Sequence, residues 1–160
     1  MAGRLVGDKD PALDKLRVCM AKFDAAEQKV IQSIRLAMQK RLPATNELLY
    51  DYGSFFVIAY SRTEHPLDAV ASIAARGDGV RLYLMNGPRL PDAKKLLQGT
   101  GKQVRFVVLE SAKQLRHPDI EALLAAAIES SGAPLPRTAR GKLIDRSAAQ
   151  KKRPRGKKAK

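Results

Sequence analysis

The stretch AVASIAARGDGVRLYLM, residues 69–85, is the most informative about the fold, because it contains two strand patterns joined by a turn. In its second half, apolar residues at 80, 82 and 84 alternate with Arg81 and Tyr83, which is the period of a strand with one buried face. The glycine-containing loop 76–79 is typical of a hairpin connection. The stretch therefore predicts an antiparallel hairpin whose second face is wetter.

Two further segments have strand character. Residues 47–61 are rich in aromatic and β-branched residues and are interrupted by Asp51-Tyr52-Gly53, where the glycine marks a bend or bulge. Residues 104–109 alternate, with Val104, Phe106 and Val108 on one face and Arg105 on the other. We expect the apolar face to be buried. Arg105 would then join Arg81 and Tyr83 on the wetter face, a candidate binding surface.

Helical patterns flank these strands. Asp10-Pro11 has the form of an N-cap and a first-turn proline, and Asp24 with Glu27 has the form of a capping box before a second helix that ends ahead of Pro43. Residues 117–119 open a last helix, and Gly132 is suited to its left-handed C-terminal cap. The order predicts an α+β fold, an antiparallel sheet of about four or five strands with helices packed on one face.

The periodicity ends after Gly132. Residues 133–160 hold eleven of the 30 Lys and Arg residues and one acid, Asp145, so they carry +10 of the net +14 charge. Such a segment buries too little apolar surface to offset chain entropy. The sequence predicts an α+β domain over 1–132 and a disordered Lys/Arg-rich tail over 133–160.

The end of this tail, KKRPRGKKAK, has seven cations and no acid. Its cations are Lys151, Lys152, Arg153, Arg155, Lys157, Lys158 and Lys160. Flexible basic tails bind nucleic acid without reading its sequence, by releasing counterions. The alternatives are a solubilising extension and attraction to anionic lipid. No amphipathic pattern indicates membrane insertion.

Other features indicate a soluble, cytoplasmic protein. Cys19 is the single cysteine, which excludes an intrachain disulfide, and it lies among apolar helical residues as a buried structural thiol would. The N-terminal residues contain no apolar run of the signal-peptide kind. The apolar runs 55–60 and 122–128 are far shorter than the ~18 residues needed to span a bilayer.

The string GTGK, residues 99–102, invites comparison with a phosphate-binding loop. A Walker A loop needs a preceding strand, an earlier glycine, and Ser or Thr after the lysine, whereas Gln103 follows Lys102 here. We expect a short helix over 91–97 that Gly99 ends, a turn at Gly101 and then a strand.

The same region is basic. Residues 89–105 hold five cations and one acid, Asp92. The five are Arg89, Lys94, Lys95, Lys102 and Arg105. They are candidates for binding an anionic ligand or a phosphate backbone, and the alternative is a solvated basic loop.

The stretch GPRLPDAKKLLQGTGKQVRFVVLES, residues 87–111, resembles the YdhG-like family of small bacterial proteins, together with DYGSFFVIAY at 51–60 and HPDIEALLAAAI at 117–128. The resemblance covers residues 13–128. It implies a frataxin-like fold, with helices laid across one face of an antiparallel sheet. One branch of the family is described as an intracellular iron chaperone, so the resemblance also implies iron as an alternative ligand.

Iron binding of the frataxin type relies on clustered carboxylates, hard oxygen ligands. The candidates are Asp10, Asp14, Asp24 and Glu27. Three of them are explained by capping, and cations on the second helix would repel a metal ion. His65 and His117 each precede a proline, as turn or cap residues do, and no spaced Cys/His motif supports a compact metal site.

No nucleophile motif or other catalytic pattern is present in the sequence. We therefore expect a non-enzymatic binding or chaperone-type module of unspecified ligand, with a cationic tail that gives non-specific nucleic-acid affinity. Frataxin-like iron binding and delivery is the alternative, and an unrecognised enzyme is the third hypothesis.

Overall fold

The computed structural model describes residues 10–132, 135 and 139–147. They form an α+β fold with three α-helices and an open mixed sheet of six strands. In chain order these elements are α1 (Pro11–Met20), α2 (Ala25–Arg41), β1 (Asn46–Asp51), β2 (Phe56–Ser61), β3 (Ala69–Arg76), β4 (Gly79–Met85), β5 (Val104–Leu109), α3 (Pro118–Ser130) and β6 (Leu143–Asp145). Short 3-10 helices lie at Pro66–Asp68, Gly87–Arg89 and Ala112–Arg116.

The helices begin and end where their capping residues predict. The Asp10 side chain accepts hydrogen bonds from the first backbone N–H groups of α1. Asp24 and Glu27 form the reciprocal capping box of α2, which satisfies two backbone donors that the first turn leaves free. The His117 ring caps α3, and Gly132 follows that helix with φ +130°, a conformation that glycine adopts without strain.

The strand order is β5-β4-β3-β2-β1-β6. Strands β1 to β5 pair antiparallel with their neighbours along the chain. Buried side chains of all three helices join the inward residues of the sheet in one hydrophobic core, which includes Ile34, Ile73, Leu82 and Leu124. The helices therefore pack on one face, and we call the opposite face of the sheet the outer face.

The sixth strand corrects the predicted sheet and the predicted tail. Strand β6 pairs parallel with β1, so the sheet is mixed rather than wholly antiparallel, and Leu143–Asp145 is ordered within a segment predicted to be disordered. A three-residue strand is too short to show a period of two, and its pairing depends on the free edge of β1. The prediction of disorder for 133–134, 136–138 and 148–160 falls on residues outside the described part of the chain.

Gly141 allows the segment before β6 to pass close to the chain that leads into the edge strand β1. Its N–H donates to the carbonyl of Pro43, and a Cβ at this position would lie 1.8 Å from the carbonyl oxygen of Thr45. No side chain fits in that space, so glycine is required for the close approach of the two backbones.

The loop before β5 differs from the predicted short helix. The Asp92 carboxylate accepts the backbone N–H groups of Leu96 and Leu97 at 2.7 and 2.8 Å, and residues 91–97 contain no helix. A carboxylate that binds nearby N–H groups competes with the helical pattern of backbone bonds. Gly99 has φ +100° in the loop after the isolated bridge between Gln98 and Phe106, rather than at a helix end.

Candidate functional site

The outer face collects most of the aromatic residues. The protein has four Tyr and four Phe, and five of these eight belong to the outer face or to the turn beside it. They are Tyr50, Tyr52, Phe55, Tyr83 and Phe106, and they form two groups of neighbouring rings, one stacked and one tilted. The remaining three, Phe23, Phe56 and Tyr60, belong to the core on the helical side. Aromatic residues contribute most in cores and at binding interfaces, so five that lie outside the core mark this face as a candidate binding surface.

The first group is a cross-strand pair. Tyr83 on β4 lies opposite Phe106 on β5, and their ring centroids are 5.2 Å apart. The guanidinium of Arg81 lies over the Phe106 ring, 4.6 Å from its centroid, and donates to the Tyr83 hydroxyl at 3.4 Å. That bond raises the pKa of Arg81, and a guanidinium is protonated at neutral pH in any environment, so Arg81 places a positive charge over the Phe106 ring.

The second group lies at the β1–β2 turn. Tyr52 stacks on Phe55 at 4.9 Å and lies 6.5 Å from Tyr50. Arg76, at the end of β3, lies 4.4 Å from the centroid of Phe55. Tyr52 is 43% exposed, which leaves part of this stack accessible to a planar ligand.

Asp78 connects the two groups electrostatically. Its carboxylate lies 4.0 Å from Arg76 and 3.8 Å from Arg81, and all three side chains are partly exposed to solvent. Ion pairs that long and that exposed are weak. Both guanidiniums therefore remain available to a phosphate or a base edge.

The prediction for the faces of β5 was wrong. Arg105 lies opposite Leu84 on the helical side, and Phe106 takes the predicted place of Arg105 beside Arg81 and Tyr83. Arg105 is accommodated there because Gly87 has no side chain: a Cβ on Gly87 would lie 2.5 Å from Arg105. The guanidinium then turns back and donates to the Gly101 carbonyl at 2.8 Å.

The sequence offered no clear way to find this arrangement. Both faces of β5 carry apolar residues, and the long connection from β4 does not fix the register between the two strands. Only Arg105 indicated which face of β5 is exposed to solvent. That indication was not reliable, because a long side chain at the end of a strand can reach solvent from either face. The contribution of Phe106 and Phe55 to the outer face depends on tertiary structure.

Two buried donors lie at the β1–β6 edge of the outer face. Ile144 is opposite Leu48 and Arg146 donates its N–H to the Leu49 carbonyl, so Arg146 and Tyr50 are on the same side of the sheet. Neither the Tyr50 hydroxyl nor the Arg146 Nε has a hydrogen-bond partner in the part of the chain that the structure describes. Unsatisfied buried donors of this kind cost ~1–3 kcal/mol each.

The predicted basic cluster before β5 is partly engaged. Lys94 forms an ion pair with Asp119 at 3.1 Å, and Arg105 is bound to Gly101. Arg89, Lys95 and Lys102 are exposed. An anion site at these five residues stays a prediction, and the seven cations of 151–160 lie outside the described residues.

The carboxylates predicted as alternative iron ligands have structural partners. Asp10, Asp24 and Glu27 cap α1 and α2, and Asp14 pairs with Arg17 at 3.1 Å. Among the residues described, no three His, Cys, Asp or Glu side chains are grouped as a metal site requires. Cys19 is 1% exposed, and burial raises the pKa of its thiol, as expected for a structural cysteine.

Comparisons with protein-family models, with curated proteins and with solved structures found no match to this chain. The resemblance to the YdhG-like family and to the frataxin fold therefore stays a prediction from the motifs at 51–60, 87–111 and 117–128. Within the described ranges, no helix combines the length and the apolar composition that crossing a membrane requires.

Proposed function

We propose that this protein binds single-stranded nucleic acid on the outer face of its sheet. The observation that supports this most directly is the Tyr83–Phe106 pair beneath Arg81. Both rings are partly exposed. Unpaired bases stack on accessible aromatic rings and on guanidinium planes, and a sheet that presents such groups is a common platform for single strands. Each base stacked in this way contributes ~1–3 kcal/mol of binding free energy.

The two aromatic groups lie on different strands, so together they fit a nucleic-acid strand rather than a single base. One group lies at β4–β5 and the other at the β1–β2 turn, and Asp78 is within 4.0 Å of the arginine of each group. A chain of a few nucleotides that lies across β3 would stack at both groups and place phosphates near Arg76 and Arg81. Duplex DNA presents its bases only as edges in grooves, so it would leave the rings unused.

The basic segment 151–160 has a separate part in this proposal. Its seven cations add an electrostatic attraction that is independent of sequence and falls with salt. The outer face would supply the contacts that discriminate single strands from duplexes, and the tail would supply non-specific affinity.

Fluorescence anisotropy with a labelled ten-nucleotide single strand, as DNA and as RNA, and with the matched duplex tests the proposal. We expect the single strand to bind more tightly than the duplex at 0.15 M salt. Tyr83→Leu and Phe106→Leu keep apolar packing but remove the rings, and each should weaken single-strand binding about tenfold. Circular dichroism and thermal unfolding would establish that both variants are folded.

Two control variants separate specific from general effects. Arg81→Gln should weaken binding, whereas Arg17→Gln should not, although each arginine has an aspartate three residues earlier as its partner. A chain whose seven cations at 151–160 are changed to glutamine should keep its preference for single strands. If that chain loses all binding while the ring variants bind normally, the outer face is not the site.

A further inference from the structure

A groove runs along the second half of α2 on the opposite side of the molecule from the outer face. Two cavities of about 680 and 480 Å³ share Ala37, Lys40 and Arg116 as lining residues, so they form one continuous depression between α2 and the 3-10 helix Ala112–Arg116. Their size is that of ordinary small-molecule sites, ~300–1,000 Å³.

Apolar side chains form much of the groove surface. Leu36 lines it and is 48% exposed, which is a large fraction for a leucine on a helix that also buries an apolar stripe. Ala37, Pro43 and Ala112 continue this apolar surface. A ligand that bound here would remove these groups from water, which is favourable at ~25 cal/mol per Å².

Three cations from three separate segments converge on the groove. Lys40 comes from α2, Arg116 from the 3-10 helix and Arg140 from the segment before β6. All three are exposed, and none takes part in an ion pair with another described residue. The position of Lys40 in the last turn of α2 is explained by the helix dipole, but the dipole does not explain the other two.

The acid in the groove does not neutralise these cations. Glu121 accepts three hydrogen bonds from Arg41, at 3.0, 3.2 and 2.8 Å. That pair is satisfied internally. The charge that the groove offers to a ligand is therefore the charge of Lys40, Arg116 and Arg140.

We propose that this groove binds a small organic anion with an apolar body, that is, an acyl or aryl carboxylate or phosphate monoester. The anionic head would lie among Lys40, Arg116 and Arg140, and the apolar body would cover Leu36 and Ala37. Inorganic phosphate and the nucleic-acid backbone would satisfy the cations but leave the apolar surface in water. The proposal does not depend on nucleic-acid binding, because the groove and the outer face share no residue.

Isothermal titration calorimetry and amide chemical shifts of the full-length protein test this with defined probes below their micelle concentrations. Decanoate and decyl phosphate should bind and should shift the amide signals of α2 and of residues 112–116. Decanol, decyltrimethylammonium and inorganic phosphate should bind at least tenfold more weakly, because each lacks either the charge or the apolar body. Equal binding of decanol or of the cationic amphiphile would overturn the proposal, and so would equal binding of inorganic phosphate.

The variants complete the test. The double change Lys40→Gln with Arg116→Gln should weaken decanoate binding about tenfold or more, and Leu36→Asn should weaken it as well. Lys29→Gln removes an exposed charge from α2 outside the groove lining and should leave decanoate binding unchanged. If this control lost as much decanoate affinity as the double variant, the binding would reflect general attraction to a basic protein, and the proposed site would be wrong. The groove variants should bind the ten-nucleotide strand normally, so each proposal can fail without the other.

Discussion

Arg35 of α2 and Glu47 of β1 form a buried two-point ion pair, with Nε–Oε2 and Nη2–Oε1 distances of 3.0 and 2.8 Å. Their side chains are 11% and 7% exposed. Gln39 and Tyr60 donate the remaining hydrogen bonds to the carboxylate, so all of its acceptor positions on the protein side are used. Burial works against the charge on Arg35, but the bonds to Glu47 outweigh it and raise the pKa of the guanidinium.

Replacing only one residue of this ion pair should strongly destabilise the fold. We expect Arg35→Met or Glu47→Leu alone to reduce the free energy of unfolding by ~3–5 kcal/mol, because each leaves a buried charge without its partner. The double variant should lose less than the sum of the single losses, with a coupling of ~1–3 kcal/mol. Urea unfolding of the four proteins measures the cycle, and additive losses would show that the two residues do not stabilise the fold as a pair.

Two tyrosines on opposite faces should respond differently to loss of the hydroxyl. Tyr60→Phe should cost ~1–3 kcal/mol, because it removes the buried bond to Glu47. Tyr50→Phe should leave stability unchanged or increase it, since the Tyr50 hydroxyl is buried without a partner. Thermal and urea unfolding of both variants checks this. A loss for Tyr50→Phe as large as that for Tyr60→Phe would show that Tyr50 binds a group outside the described residues.

The raised pKa of Tyr60 predicts that the free energy of unfolding falls at alkaline pH. Burial, and then the charge of Glu47, hold the pKa of Tyr60 well above its ordinary value of 10.0. The unfolded chain ionises this phenol at about pH 10 and the folded chain does not. The contribution of Tyr60 is therefore complete below pH 10 and is lost as pH rises above it, by up to ~1.4 kcal/mol per pH unit. Urea unfolding between pH 8 and 11 should show a steeper decline in the parent protein than in Tyr60→Phe.

The lowered pKa of Asp51 predicts a stabilising contribution that is lost at acid pH rather than at alkaline pH. The Gly53 N–H donates to its carboxylate at 2.8 Å, and Lys15 and Lys22 lie at 3.3 and 3.4 Å. The Gly53 bond and then the two lysines lower the pKa of Asp51 below 3.8. Its stabilisation is present above pH 3.8 and is lost as pH falls through the lowered value. Asp51→Asn should be less stable than the parent at pH 6, and the gap should narrow towards pH 2.

Gly141 tests whether the returning segment belongs to the fold. A methyl group there meets the Thr45 carbonyl oxygen at 1.8 Å, so Gly141→Ala should detach β6 from β1 and destabilise the domain by ~2 kcal/mol or more. Gly77→Ala is the matched control, because a Cβ at Gly77 meets nothing within 4 Å. The Glu47 N–H donates to the Lys142 carbonyl and the Arg146 N–H to the Leu49 carbonyl, so exchange of these two amides should accelerate in the first variant only. No change in Gly141→Ala would contradict the pairing.

Interactions between residues close in sequence made much of this architecture predictable. The caps at Asp10 and Asp24, the hairpin at 76–79 and the alternation of β4 each depend on residues within one turn or one strand, and the structure confirms them. The prediction of a helix at 91–97 was wrong for an equally local reason: the N–H groups of Leu96 and Leu97 donate to the Asp92 carboxylate instead of to helical carbonyls.

From the sequence by itself follow the α+β class, the capped starts of the helices, the hairpin at 76–79 and the uneven distribution of charge, because capping, strand period and charge are properties of neighbouring residues. Three features depend on the tertiary structure: β6 joins the sheet, Phe106 rather than Arg105 lies beside Arg81 and Tyr83, and Lys40, Arg116 and Arg140 meet at one groove. Each of those three depends on strand register or on the approach of distant segments. Contacts between segments far apart in the chain form only when the whole fold packs, so a local sequence pattern does not predict them.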